Sequence, residues 1–503
     1  QESDKSAMLV LESQAAFQPE AIANQGLSQY DGDVLDLKKN YRERQTANNT
    51  QLIKKLEARL QKEAHPKVKQ DLQILIQTLA DENETRKINS QYMLSYFNIH
   101  RTLFSSFNAL LDARNDKSRY PAALERLRKY TGVAEGYTPI TELAKARSTE
   151  QFGNEALMGP YLGELEIDLN DAPRFVAGLR SLFERAQLTG WEEDFALLEQ
   201  QLADYADWLS EEMLPRARDN NQLPAAVYAN NLKNFGVRAT PEELIEEAQY
   251  SYQFIRSEMK ALAWKIAQDR GWEDKRLVPV MRKLKEEQIP QDQLLAAYKS
   301  RLAAIEEIIR REDIITLPER DAGIRLATEA EAAAIPASFM SPPQLINNTG
   351  QYGEFVLVQS NPALQGDAVM DDWSHDAITW ALTVHEARPG HELQFSSLVE
   401  NGTSLTRALF AFNSANAEGW GLYAEAIMHE YLPQEAQLFN LFTRLMRAAR
   451  MFLDPMINTG QLTPEQAVNF MMEQTALSRS MASSEADRYS FRMPGQATSY
   501  YYG

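Results

Sequence analysis

The chain has 503 residues, and its 71 acidic against 52 basic side chains leave a net charge of −19. That balance argues against a nucleic-acid surface, which needs clustered Lys and Arg. With no Cys, disulfides, thiolate metal sites and thiol nucleophiles are excluded together. The 44% hydrophobic fraction belongs to a globular chain able to bury a large core, and a prior of about 150 residues per domain gives two or three fused units.

The first two thirds read as helix after helix. "NTQLIKKLEARLQKEA" and "VKQDLQILIQTLADENETRKI" carry apolar residues at three-and-four spacing, and their charges belong to solvated faces. "RFVAGLRSLFERAQLTG" and "WEEDFALLEQQLADYADWLSEEML" continue the pattern. In "ATPEELIEEAQYSYQFIRSEMKALAWKIAQDRG", Thr240 is the N-cap, Pro241 the first helical residue, Glu243 the capping-box partner and Gly271 the stop. "DQLLAAYKSRLAAIEEIIRRED" is one more helix. No apolar run reaches the roughly 18 residues a membrane span needs. The opening "QESDKSAMLV" has no Met, which leads us to expect a leader removed upstream.

The texture then changes. "EAEAAAIPASFMSPPQLINNTG", Glu329 to Gly350, reads as a linker or irregular wall. It leads to "YGEFVLVQ", Tyr352 to Gln359, the best strand in the chain. Residues with catalytic potential follow that strand, so we expect a helical region over 1–340 forming cleft walls and a catalytic region with a C-terminal tail over 341–503.

"VHEARPGHELQ", Val384 to Gln394, resembles the His-Glu…His pattern of zinc peptidases, but His385 and His391 stand six residues apart instead of four. On a regular helix six residues turn the second ring by about 240°, away from the first. Pro389 cannot donate to the carbonyl of His385, and Gly390 tolerates backbone angles that other residues avoid. The helix is therefore expected to bulge or unwind at Arg388-Pro389-Gly390 and return His391 to the side of His385. Four of the six His (His375, His385, His391 and His429) fall within the last third. Downstream, "NAEGWGLYAEAIMHE" puts Glu418 and Glu425 seven apart on one helix face, with Gly419 and Gly421 allowing close approach. Two His from one helix and a Glu from another make a three-ligand catalytic zinc site with an open fourth position.

"HEARPGHELQ", "AEGWGLYAE" and "ADRYSFRMPGQATSYYYG" together resemble the bacterial domain-of-unknown-function family 885, and "LPAAVYANNLKNFGVRATPEELIEEA" resembles its middle region. The resemblance implies a gluzincin-like zinc peptidase, with His385, His391 and Glu418 as ligands of Zn2+ and Glu386 as general base. It also implies a lipoprotein of the cell envelope, lipid-anchored or periplasmic. One residue departs from the family pattern: Glu392 stands where members commonly carry His, which leaves the role of that position open. The fold expected is mainly α, a large helical body with a deep cleft and one small β-sheet beside the zinc site. Short peptides would be the substrates. A zinc amidase or esterase acting on another substrate, and an inactive binding protein, remain alternatives, although the presence of Glu386 argues against the last. A second donor for the oxyanion is needed, and the tail offers Arg488, Tyr489, Tyr500 and Tyr501. Glu425, Asp371, Asp372 and Asp376 are candidates for orienting a ligand His. Gluzincins hold extended peptide on a strand edge, a role that "YGEFVLVQ" could fill as well as it could be an ordinary buried strand.

Overall fold

The structure, a computed structural model, describes residues 2–361 and 370–503. It is mainly α, 68% helical with one three-stranded sheet. Long helices stand where the apolar periodicity predicts them: α1 (Tyr41–Lys62), α2 (Pro66–Tyr92), α3 (Leu162–Arg185), α4 (Glu192–Trp208), α5 (Pro241–Asp269) and α6 (Gln291–Glu312). The start of α5 is the expected capping box, with Thr240 and Glu243 exchanging side-chain and backbone hydrogen bonds of 2.9 and 3.3 Å. Gly271, just past its end, has φ +67°, a conformation that favours glycine.

Two compact units make up the chain. The first comprises Gln1–Asn220, Gln344–Gln351 and Asn401–Phe412; the second comprises Asn221–Pro343, Tyr352–Glu400 and Asn413–Gly503. The division at Asn220 falls well upstream of the change in texture near residue 340. In the first unit Leu52 and Leu56 of α1 meet Leu72, Leu75 and Leu79 of α2, all buried. Each such Leu contributes about 1.5–3 kcal/mol of transfer free energy.

The second unit holds every candidate residue. Its sheet contains β1 (Gly323–Leu326), β2 (Phe339–Ser341) and β3 (Glu354–Leu357) in the order β1-β3-β2. β3 is parallel to β1 and antiparallel to β2, with Phe355 facing Ile324 on one side and Met340 on the other. The strand expected from "YGEFVLVQ" is thus present, but it is central. Both its backbone edges are already hydrogen-bonded, so it has no free edge for a peptide. Phe355 and Leu357 pack with Tyr298, Leu382 and Ala387, which seats the sheet beside the helix that carries His385.

Five further helices frame the site: α7 (Asp376–Glu386), α8 (His391–Asn401), α9 (Ser414–Met428), α10 (Gln434–Asn458) and α11 (Arg479–Asp487). α5 presents Leu244, Ala248, Tyr252, Ile255, Met259, Ala263 and Ile266 to α10, at spacings of three and four. α10 is buried almost all round, as a core helix is. It nevertheless carries a polar stripe of Asn440, Thr443, Arg447, Arg450 and Asp454, again at three-and-four spacing. Buried polar groups need partners, and most of these find them around the candidate centre.

Candidate metal centre

The helix breaks between the two His. α7 ends at Glu386, a turn spans Ala387 to Gly390, and α8 begins at His391. The Arg388–Pro389 peptide is cis. Gly390 is not in the left-handed region; what it supplies is room. A Cβ there would lie 1.9 Å from the carbonyl oxygen of His385 and 2.3 Å from that of Val384. The turn is also pinned from outside. Trp420 Nε1 donates to the carbonyls of Pro389 (3.0 Å) and Gly390 (3.1 Å). Buried Arg388 donates to Glu392 Oε2 (2.6 Å), to Glu306 Oε1 (2.7 Å) and to the carbonyl of Arg320. Glu392, which also accepts from Ser396, therefore has a structural role: it neutralises the guanidinium that clamps the turn.

With the turn inserted, the two imidazoles meet, their centroids 4.7 Å apart. Glu418, from α9, reaches both: its Oε2 lies 3.2 Å from His391 Nε2 and 3.5 Å from His385 Nε2. One ligand atom from each of the three residues falls within 4.8 Å of the others. Zinc–ligand bonds of about 2.0–2.1 Å in a tetrahedron separate ligand atoms by about 3.3 Å, so two imidazole nitrogens and a carboxylate at this spacing fit such an ion. The other ring nitrogen of His385, Nδ1, lies 2.7 Å from Glu425 Oε1. That contact turns Nε2 toward Glu418, the usual arrangement of a ligating His held by a carboxylate. Glu425 is in turn fixed by Thr443 and lies 3.5 Å from Arg447 Nη2.

Burial works against charge on His385, but hydrogen bonds to Glu418 and Glu425 outweigh it and raise its pKa to about 9. Burial likewise opposes ionisation of Glu418, yet the neighbouring imidazoles of His391 and His385 hold its carboxyl well below the usual range. Glu386 behaves oppositely. It is buried next to His385 and His391, and burial, with the like charge of Glu418 adding, pushes its pKa up despite His385, His391 and Arg447. A carboxylate raised in this way is suited to accept and return a proton.

Of the other candidates, some join the centre and some do not. Tyr500 stacks on His385 at 6.2 Å between centroids and 20° between planes, and its hydroxyl accepts from Arg488 Nη2 at 2.7 Å. The Pro494-Gly495 turn thus brings both ends of the tail to one place; Gly495 N is held by Asp454 at 2.9 and 3.0 Å. Tyr489 is fully buried and gives its hydroxyl to Glu485 at 2.6 Å, so that donor is already committed. Tyr501 packs on the main apolar core. Asp371 and Asp372 pair with Lys285, and Asp376 with Arg301, so of these four carboxylates it is Glu425 that meets His385. His429 turns to Asn440 (2.9 Å), and His375, at the N-cap position of α7 but without a side-chain capping bond, packs its ring on Phe439; neither enters the cluster.

Sequence reasoning missed Arg447, Arg450, Thr443 and Glu485. Arg447 and Arg450, with Arg488, place three guanidinium carbons 5.7, 4.6 and 5.1 Å from the centre of the Tyr500 ring. The available signal was the polar stripe inside the strongly apolar "LFNLFTRLMRAARMFLDPMIN", since a buried helix does not carry Arg at that spacing without a partner to meet.

The fold has solved counterparts. A "putative lipoprotein" from Colwellia psychrerythraea superposes with a TM-score of 0.71 at 17% identity, over 99% of this chain and 90% of its own. A "putative lipoprotein of unknown function" from Shewanella oneidensis gives 0.70 at 18% identity, over 100% and 91%. No curated protein matches the chain by sequence. The profile of the family described as "Bacterial protein of unknown function (DUF885)" matches residues 19–503, nearly the whole length. The chain belongs to that family.

Proposed function

We propose that the protein is a zinc-dependent hydrolase, most simply a metallopeptidase of the gluzincin kind acting on short peptides. The observation that carries this reading is the meeting of His385, His391 and Glu418 within 4.8 Å, with Glu386 adjoining a ligand. His385, His391 and Glu418 would hold the ion, and zinc bound there supplies Lewis acidity toward a carbonyl oxygen and a water. Glu386 takes one proton from the water as its oxygen bonds to the substrate carbonyl carbon. The carbon–nitrogen bond then breaks, Glu386 returns the proton to the leaving amine, and the new acid loses its remaining proton to solvent. The Tyr500 hydroxyl, kept protonated by burial, donates to the oxygen on which negative charge develops. Glu425 holds the His385 ring, and Arg388 and Trp420 hold the turn between the ligands.

The same reading carries a location. The two solved neighbours named above are each described as a "putative lipoprotein", and among the described residues no helix is long and apolar enough to cross a membrane. We place the protein at the cell envelope, on a lipid anchor or free in the periplasm.

Metal analysis of the purified protein followed by a peptide-library digest tests the reading. Near-stoichiometric zinc is expected, with His385→Ala, His391→Ala and Glu418→Ala each falling well below one ion per chain. Glu386→Gln should keep the metal and lose turnover. Full zinc and activity in His391→Ala would make the six-residue spacing a false match.

A further inference from the structure

The three guanidiniums around Tyr500 are unequally paired. Arg450 is neutralised: its Nε and Nη2 donate to Glu485 at 2.6 and 2.7 Å, and both side chains are buried. Glu485 also accepts from Tyr489, so this one carboxylate is already engaged by two groups. Arg488 comes no closer to it than 3.8 Å, and its Nη2 donates instead to the neutral phenol of Tyr500 at 2.7 Å. Arg447 leans on Glu425 at 3.5 Å and donates to the carbonyl of Thr443, while its buried Nε has no partner. Two guanidiniums with donors to spare therefore sit beside a candidate centre in a chain of net charge −19. The carboxylates these two lean on, Glu425 at 3.5 Å and Glu485 at 3.8 Å, are each hydrogen-bonded to other groups. Buried charge so loosely paired is costly, and the orphaned Nε of Arg447 calls for a polar partner. Arg488 keeps 19% of its side chain exposed and Glu418 16%, so an incoming molecule can reach both.

We propose that Arg488, assisted by the charge of Arg447, seats the free α-carboxylate of the substrate, so that the protein removes the last residue of short chains. This rests on the hydrolase reading and names its substrate class. A guanidinium fork matches a carboxylate through two parallel hydrogen bonds. Arg488 and His385 lie against the same Tyr500 ring, 5.1 and 6.2 Å from its centre, which keeps a carboxylate held by Arg488 close to a carbonyl at the candidate centre, and the residue held is taken as the one directly after the scissile bond. Hydrolysis then consumes one water, splits the final amide and releases a free amino acid from Arg488.

Binding without turnover tests this. Zinc-loaded Glu386→Gln protein is titrated calorimetrically with N-acetyl-alanyl-alanine, with its C-terminal amide, and with N-acetyl-aspartyl-alanine amide, whose only carboxylate is on a side chain. The free acid should bind about 10- to 100-fold tighter than its amide, the range of one charged hydrogen-bonded contact. Arg488→Ala in that background should erase the difference, and Arg488→Lys should restore part of it. Equal binding of acid and amide, or binding of neither, overturns the assignment without needing any Arg488 variant to fold. An aspartyl amide that binds as tightly as the free acid also overturns it, in favour of a side-chain carboxylate. Because no bond is cleaved in this assay, a preference for the acid would survive even if the wild-type protein hydrolysed no peptide in the library digest, so the two failures are distinguishable.

Discussion

A Cβ on Gly421 would lie 2.5 Å from His385 Cε1 and 2.8 Å from its Nδ1: the imidazole occupies the space a side chain would need. Gly419, two residues earlier in the same helix, is instead covered by backbone, 2.5 Å from the carbonyl carbon of Gly503. The two glycines of the "EGWG" stretch thus do different work, one admitting a ring and the other a chain.

Gly421→Ala should therefore push the His385 ring off its Glu425 contact. Losses in the shell behind a metal ligand cost about 10- to 100-fold in affinity, and zinc affinity of the variant, measured by chelator competition, should fall in that range. Unchanged affinity would mean that the ring has room to spare.

Zinc uptake should depend on pH through His385. In the metal-free protein this imidazole holds a proton up to about pH 9. Its stabilising contribution to the metal-free fold is fully present below the ordinary His value and is lost as pH rises through about 9. An ion must displace that proton, so apparent affinity should rise about tenfold per pH unit below pH 9 and then level. Glu425→Gln removes one charge that holds the proton, and the levelling should move to lower pH. A flat profile in the parent protein would contradict the pairing of His385 with Glu418 and Glu425.

Tyr500 and Tyr489 should separate cleanly. Tyr500→Phe is expected to lower kcat on the order of 100-fold at unchanged zinc content, because its hydroxyl serves the developing charge. Tyr489→Phe leaves Glu485 short of one buried hydrogen bond. It should cost about 1–3 kcal/mol in denaturant unfolding with little change in kcat. Equal kcat losses in both variants would remove Tyr500 from the proposed chemistry.

Asp454, which is not part of the His385, His391 and Glu418 cluster, offers a stability test. It is fully buried, and burial raises its pKa to about 7 in spite of the hydrogen bonds from Tyr228, Gly495 and Asn458. The folded state therefore binds the proton more tightly than the unfolded chain. The resulting stability is fully present below about pH 4 and is lost as pH rises through 7. Three pKa units correspond to about 4 kcal/mol. Asp454→Asn has no such proton to lose, so its stability relative to the parent should improve by up to that amount between pH 4 and 8. Parallel unfolding curves across that range would show that Asp454 is not the titrating group.

Much of this protein was legible in its sequence. Local signals carried the helices: three-and-four apolar spacing for α1, α2, α5 and α6, and the Thr240–Glu243 capping box for the start of α5, each a matter of neighbours within one turn. Pro389 and Gly390 foretold the break between His385 and His391, although Gly390 acts through its missing side chain and not through unusual backbone angles. His385, His391, Glu418 and Glu425 were readable because motif and spacing pick them out, although the structure distributes them over three helices, α7, α8 and α9.

What only the tertiary structure decided are relations between elements distant in sequence. β3 looked like any strand; that it lies between β1 and β2, with no free edge, depends on two segments that pair with it from either side. Tyr489 and Tyr500 are both aromatic residues of one tail, but Glu485 claims the hydroxyl of the first, whereas the second stacks on the His385 ring and accepts from Arg488. The polar stripe of α10 shows the principle most clearly. Local sequence makes Arg447 and Arg450 members of a helix, whereas their charge acquires meaning only from Glu425, Glu485 and Tyr500, which arrive from three other segments. Electrostatic partnership is a property of distance in space, and no period along the chain encodes it.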